Sequence, residues 1–149
     1  MTEEERRQIE EKVAQARERI AEAAAAAGRR PEDITLVAAT KMNDADRVRA
    51  AIAAGVDVCG ENRVQEAEAK KKEFAAGVPA GTPTPLRWEL IGHLQSNKAR
   101  RAAEHFDRVQ SVDSVELARK LDRVCGEIGR ERLPVLLQAN AGSDPAKFG

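Results

Sequence analysis

Ile34-Thr35-Leu36-Val37-Ala38-Ala39-Thr40-Lys41 is the stretch that decides the fold. The run is short, continuous and rich in β-branched and aliphatic residues. Asn43-Asp44 follow it as a turn and helix start. That pattern predicts a buried strand over 34–40 rather than a helix. Lys41 closes the strand, which puts its amine at the mouth of the sheet, where parallel α/β folds hold their ligands. An amine that forms a Schiff base must spend time neutral. At an ordinary lysine pKa of about 10.4, only about one amine in 2500 is neutral at pH 7, and burial at a strand end raises that fraction. The same residue also reads as a lysine that snorkels from the strand end into water, and by itself it favours that reading.

Outward from this strand the pattern alternates. Upstream, Thr2-Glu3-Glu4-Glu5 matches a capping box. Ile9, Val13, Ala16, Ile20, Ala23 and Ala27 then recur at helical spacing, predicting one helix with a single apolar stripe. Gly28 stops it and Pro31 lies just beyond. Downstream, the sequence predicts a helix over 44–54 stopped by Gly55, a strand over 56–60 and a helix over 62–74. A Gly/Pro-rich loop follows over 75–85, then a strand over 86–91 and a helix capped by Ser96 and running to about His105. A strand over 108–112, a helix over 115–128 capped by Ser114, and a strand over 133–139 complete the series. Strands and helices alternating at short spacing mean right-handed βαβ units and a parallel sheet. The closing stretch 141–149 reads as a loop leading towards another helix. A closed (β/α)8 barrel takes ~250 residues and eight strands. About five units in 149 residues therefore predict either an open sheet or a barrel whose last third is missing.

The length suits one domain with a core of its own. The 25 basic and 25 acidic residues cancel, so no strong field favours nucleic acid or an anionic membrane. The apolar runs are too short to span a bilayer. Met1-Thr2-Glu3-Glu4-Glu5-Arg6-Arg7 has no apolar signal-peptide core, and a cytoplasmic protein is the expectation. Cys59 and Cys125 lie far apart and read as reduced, small core residues rather than a disulfide pair. His93 and His105 do not fall into zinc-ligand spacing with them, so no metal site is expected.

Three polar segments follow strands: Thr40-Lys41, Gly60-Glu61-Asn62-Arg63 and Ile91-Gly92-His93-Leu94-Gln95-Ser96-Asn97-Lys98. In a parallel sheet all three share one rim, so Lys41, Asn62, His93, Gln95, Asn97 and Lys98 are candidates to converge on one pocket. Each also has a plain structural role open to it. Asn62 suits a helix cap, Gly92 a strand end, Ser96 and Asn97 a helix start, and His93 a hydrogen-bonded loop. Glu61 and Glu66 read as solvated. Phosphate cradles of the G-x-G-x-x-G and Walker kinds are absent from the sequence.

These segments resemble the pyridoxal phosphate homeostasis proteins, whose barrel is that of the alanine racemase N-terminal domain. The resemblance rests on 34–41, on Gly60-Glu61-Asn62-Arg63-Val64-Gln65-Glu66 and on 91–98, with weaker matches at Gln110-Ser111-Val112-Asp113-Ser114 and Lys147-Phe148-Gly149. It implies a partial (β/α)8 TIM-type barrel, about its first five strands, with an N-terminal helix: residues 1–149 as one C-terminally incomplete domain, 1–30 the helix and 34–149 the βα units. It also implies that Lys41 holds pyridoxal 5'-phosphate as a Schiff base, that Asn62 lies near the cofactor ring, and that His93, Gln95, Asn97 and Lys98 lie in the loop beside it. Lys147 matches a lysine at the barrel mouth. Glu89 stands where the family commonly has histidine, and Met42-Asn43 depart from the family's usual residues after the lysine.

The function so implied is a non-catalytic carrier in intracellular pyridoxal phosphate homeostasis, with pyridoxal-phosphate-dependent apo-enzymes as receivers. A racemase or decarboxylase of the same fold is the competing reading. Racemase chemistry of this kind uses a tyrosine as second base, and this chain contains none. A Schiff-base aldolase would need a phosphosugar site and an acid/base partner near the lysine, and the sequence displays neither. An inactive truncated fragment is the plainest reading of the short length. Unclosed strand edges further predict self-association.

Overall fold

The structure is a computed structural model, and it describes residues 1–75 and 86–149. The expected Gly/Pro-rich loop lies, from residue 76 to 85, outside the described residues. Contacts divide the chain into two compact units: Met1–Cys59 with Lys70–Leu86, and Gly60–Ala69 with Arg87–Gly149.

In the first unit, α1 spans Glu3–Ala26. The capping box is complete: the Glu5 amide donates to Thr2 Oγ1 at 3.1 Å, and the Thr2 amide donates to Glu5 Oε2 at 2.8 Å. The helix ends on Gly28, at φ +65°. The Gly28 amide donates to Ala25 O and the Arg29 amide to Ala24 O, the paired bonds of a Schellman motif. The apolar stripe is rotated from its expected line. Val13 and Ala24 are buried, Ile9 and Ile20 half-buried, and Ala23 and Ala27 exposed. Arg17 sets this rotation by donating to Gly55 O at 2.5 Å and pairing with Asp57 at 2.7 Å.

β1 is Val37–Ala39, shorter than the strand expected over 34–40. Pro31–Asp33 forms a 3-10 turn that takes up Ile34 as its cap. The Leu36 amide then donates to the Asp57 carboxylate at 2.7 Å, a side-chain acceptor in place of a strand neighbour. Lys41 accordingly lies beyond the strand end, in an exposed turn after the buried Thr40. α2 spans Ala45–Ala53 and is capped by Asp44, whose Oδ1 accepts from the Arg47 amide at 2.9 Å. It buries Ala45, Val48, Ala50 and Ile52, and ends in a second Schellman motif at Gly55, φ +107°.

β2, Val58–Glu61, is buried at all four positions, with Val58 and Cys59 in the first unit and Gly60 and Glu61 in the second. α3 follows over Val64–Ala75. The second unit continues with β3 at Arg87–Leu90, α4 at Ala99–His105, β4 at Arg108–Val112, α5 at Val115–Glu127 and β5 at Val135–Leu137. The sheet order is β1-β2-β3-β4-β5, the consecutive order of a barrel rather than the reversing order of a doubly wound sheet. β3 and β4 are parallel with Glu89 opposite Arg108, and β4 and β5 are parallel with Val109 opposite Val135. The five strands and their alternating helices are those of a partial (β/α)8 barrel.

α5 buries Leu117, Leu121, Val124 and Cys125, a four- and three-residue spacing that makes one face. α4 meets it with Ala99, Ala102 and Ala103, all buried, whose small side chains allow close approach. Ser114 caps α5 as expected, accepting from the Leu117 amide at 3.2 Å. Ser96 does not cap α4. Ser96–Lys98 is a 3-10 turn entered from Gln95 without a side-chain cap, and α4 begins after it. β5 is shorter than the strand expected over 133–139 and is exposed at every position, Leu137 at 81%. Both cysteines are buried, as expected of core residues. Among the described residues no helix is long and apolar enough to cross a membrane.

Candidate functional site

The second unit carries a polar rim built where β2, β3 and β4 end. The Ile91 amide donates to Glu61 O at 2.9 Å, tying the segment after β3 to the end of β2. The next residue has to be glycine. A Cβ at Gly92 would lie 2.5 Å from Asn62 O and 2.8 Å from Asn62 Cα. The Gly92 carbonyl in turn accepts from Ser111 Oγ, on β4, at 2.6 Å, and Ser111 is buried. Two backbones and one buried hydroxyl therefore fix the loop that bears His93.

His93 faces Asp113, just after β4, with Nδ1 and Oδ2 3.1 Å apart. Asp113 is largely buried and His93 half-exposed. The ring of Phe148 stacks on the imidazole at 3.7 Å between centroids, nearly parallel at 12°. With Asp113 accepting, the imidazole donates through Nδ1.

A cavity of about 570 Å³ opens beside this histidine, its polar lining supplied by Asn62, Arg63, Gln65, Glu66, His93, Gln95 and Lys98. A second, of about 830 Å³, shares Asn62 and His93 and adds Gln138, Asn140, Lys147 and Phe148. The closing segment is held over it locally. Asn140 Nδ2 donates to Asp144 O at 2.9 Å, the Asp144 amide donates to Asn140 Oδ1 at 3.1 Å, and Gln138 Nε2 donates to Phe148 O at 2.8 Å. Lys147 pairs with Asp144 at 3.5 Å and stays exposed.

Of the six residues singled out by sequence, Asn62, His93, Gln95 and Lys98 thus line one cavity. Asn97 is exposed on the 3-10 turn and does not line it. Lys41 belongs to the first unit. It sits in the turn Thr40–Asn43, closed by the Asn43 amide donating to Thr40 O at 3.2 Å, with Asn43 Nδ2 donating to Lys41 O at 3.1 Å. Asn62 is not the cap of α3, which begins at Val64 directly after Arg63. Glu61, expected to be solvated, is fully buried. Glu89 is buried too, accepting from Gln110 Nε2 at 2.5 Å with Arg108 at 3.5 Å. Asp113 was within reach of the sequence, since it too directly follows a strand. Ser111 and Phe148, like Asp113, stood in the segments 110–114 and 147–149 of weaker resemblance, with no role attached to them. Among the described residues no cluster of metal-ligating side chains occurs.

The consecutive strand order defines an α/β protein of the barrel class, with a rim of polar residues where strands end. No family profile matches the chain. Over 95% of its length the chain is similar to the pyridoxal phosphate homeostasis proteins of Pseudomonas aeruginosa, at 43% identity over 141 residues, and of Escherichia coli K12, at 41% identity over 143 residues. It spans 58% of the length of each. Among solved structures it is similar to PipY of Synechococcus elongatus with PLP bound, at 46% identity and a TM-score of 0.67, covering 84% of this chain and 56% of PipY. It is also similar to an unknown protein from Bifidobacterium adolescentis, at 37% identity and a TM-score of 0.84, covering 100% of this chain and 61% of the other.

Proposed function

We propose that this chain is the pyridoxal-phosphate-holding part of a homeostasis protein, with residues 1–149 acting as one barrel domain in the cytoplasm. The observation that carries the proposal is the 46% identity to PipY, a structure with PLP bound. The residues present suit such a ligand. An exposed lysine stands in the turn after β1. The 570 Å³ cavity is lined by amide, imidazole, guanidinium and ammonium groups, which hydrogen-bond a polar, anionic, aromatic molecule, with the Glu66 carboxylate as an acidic group beside them.

In this reading the bound cofactor supplies an aldehyde, and the Lys41 amine condenses with it to a Schiff base as one water leaves. Asn62, His93, Gln95 and Lys98 would offer it hydrogen-bonding groups from their cavity, while Asn97 lies outside that lining. His93 is held for this by Asp113 and Phe148. No group in the lining is assigned a catalytic step. The chain holds the cofactor and releases it to apo-enzymes.

A visible-absorbance titration with pyridoxal phosphate on the wild type and on Lys41→Ala tests this, followed by borohydride reduction and peptide mass mapping. The expected result is a Schiff-base band absent from the variant and an adduct on the Lys41 peptide. A band equally strong in Lys41→Ala, with label scattered over surface lysines, overturns it.

A further inference from the structure

We propose that Lys70 is a positioning residue for Lys41; the assignment rests on the carrier reading above. A buried lysine needs a reason, because an ammonium is costly to take out of water and an apolar side chain fills space more cheaply. Lys70, on α3, is 9% exposed, and its Nζ donates to the carbonyl of Thr40 at 2.5 Å. Thr40 is itself buried, so this charge-assisted bond is shielded from water.

That carbonyl is the closing point of the turn that presents Lys41. It also accepts from the Asn43 amide at 3.2 Å, which makes Lys41 and Met42 the two central residues of a four-residue turn. Met42 has φ +59°, a conformation that favours glycine or asparagine at this turn position. The turn is therefore not held by the intrinsic preference of its residues. An external clamp on its first carbonyl is what the geometry provides.

The clamp has a fixed origin. One turn further along α3, Glu73 O accepts from the Arg49 guanidinium at 2.9 Å, and the same guanidinium lies 4.9 Å over the ring of the buried Phe74. This segment of α3 is pinned to α2, and the Lys70 ammonium reaches Thr40 from an anchored helix. The function of the buried charge is to set the direction in which the next residue, Lys41, leaves the backbone.

Lys70→Met removes the donor and keeps the bulk. Lys70→Arg keeps a charged donor, and Lys70→Gln keeps an uncharged one. Ile52→Val, buried on α2, lowers stability without touching the clamp. The primary readout is the rate of borohydride-trapped pyridoxal phosphate adduct on the Lys41 peptide. The second is hydrogen exchange of the Asn43 amide, which needs no cofactor. Lys70→Met is expected to slow Lys41 labelling on the order of tenfold, with Lys70→Arg recovering most of it and Ile52→Val leaving it unchanged. Lys70→Gln is expected to fall between, and it replaces Lys70→Met if that variant does not fold. Labelling within twofold of the wild type in Lys70→Met, a loss not recovered by Lys70→Arg, or an equal loss in Ile52→Val overturns the assignment. Should the wild type not label at Lys41, the carrier reading falls, and the exchange decides the positioning role separately. Faster Asn43 exchange in Lys70→Met, restored in Lys70→Arg, supports the role; unchanged exchange overturns it.

Discussion

Replacing Gly92 by alanine sets a methyl group against backbone atoms that have nowhere cheap to go. The new Cβ would meet Asn62 O at 2.5 Å, Asn62 Cα at 2.8 Å and Asn62 C at 3.0 Å. Both sides are tethered. The Ile91 amide is bonded to Glu61 O, next to Asn62, and Gly92 O accepts from the buried Ser111 hydroxyl. Relief of the overlap stretches one of these bonds, at about 1 kcal/mol each, and over-packing itself costs roughly 1–3 kcal/mol. The unfolded chain returns about 0.4–1 kcal/mol in the other direction, because alanine is less flexible than glycine. A net loss of roughly 2–3 kcal/mol follows, which for a chain of this size lowers Tm by very roughly 4–12 °C. Gly126→Ala is the matched control. Gly126 lies inside α5 with nothing within 4 Å of a new Cβ, so the same change there should stabilise by about 1 kcal/mol. Thermal and urea melts followed by circular dichroism check both. If Gly92→Ala melts with the wild type, the close approach of the two rim segments is not as drawn and the reasoning fails.

Met42→Gly is expected to raise stability by on the order of 1 kcal/mol, because it removes the cost of a side chain at φ +59°; a lower urea midpoint would show that Met42 gains something there that relieves it. The exposed Val135, Leu136 and Leu137 of β5 predict that the chain self-associates and that Leu137→Lys shifts it towards monomer, read by sedimentation velocity; a wild-type monomer at all concentrations contradicts this. The backbone bond from Thr2 and then the Arg47 guanidinium hold the Glu5 carboxyl below its usual range. A lowered folded pKa stabilises above the unfolded value of 4.5, and that contribution disappears as pH falls through the folded value beneath it. Glu5→Gln should therefore flatten the acid limb of the stability profile below about pH 4.5, and an identical limb in the variant would remove Glu5 from that account.

Most of what was legible in the sequence is local. The capping box at Thr2, the caps at Asp44 and Ser114, and the glycines that end α1, α2 and α5 are each written within a few residues, because a helix end is satisfied by its own neighbours. A parallel sheet followed from the alternation, and so did the rim, since strand ends in a parallel sheet share one edge, whereas the consecutive strand order is a finding of the structure. Asn62, His93, Gln95 and Lys98, singled out that way, line one cavity.

Whatever depended on a partner distant in the chain was decided only by the tertiary structure. The Asp57 carboxylate takes the Leu36 amide and helps shorten β1, and Arg17 turns the packed face of α1. Asn62 makes position 92 a glycine, Asp113 and Phe148 fix His93, and Lys70 holds the turn of Lys41. None of these pairings has a periodicity or a cap to announce it. Each is a contact between segments roughly twenty or more residues apart, chosen by which surfaces pack, and packing is the one quantity that spacing along a chain does not carry.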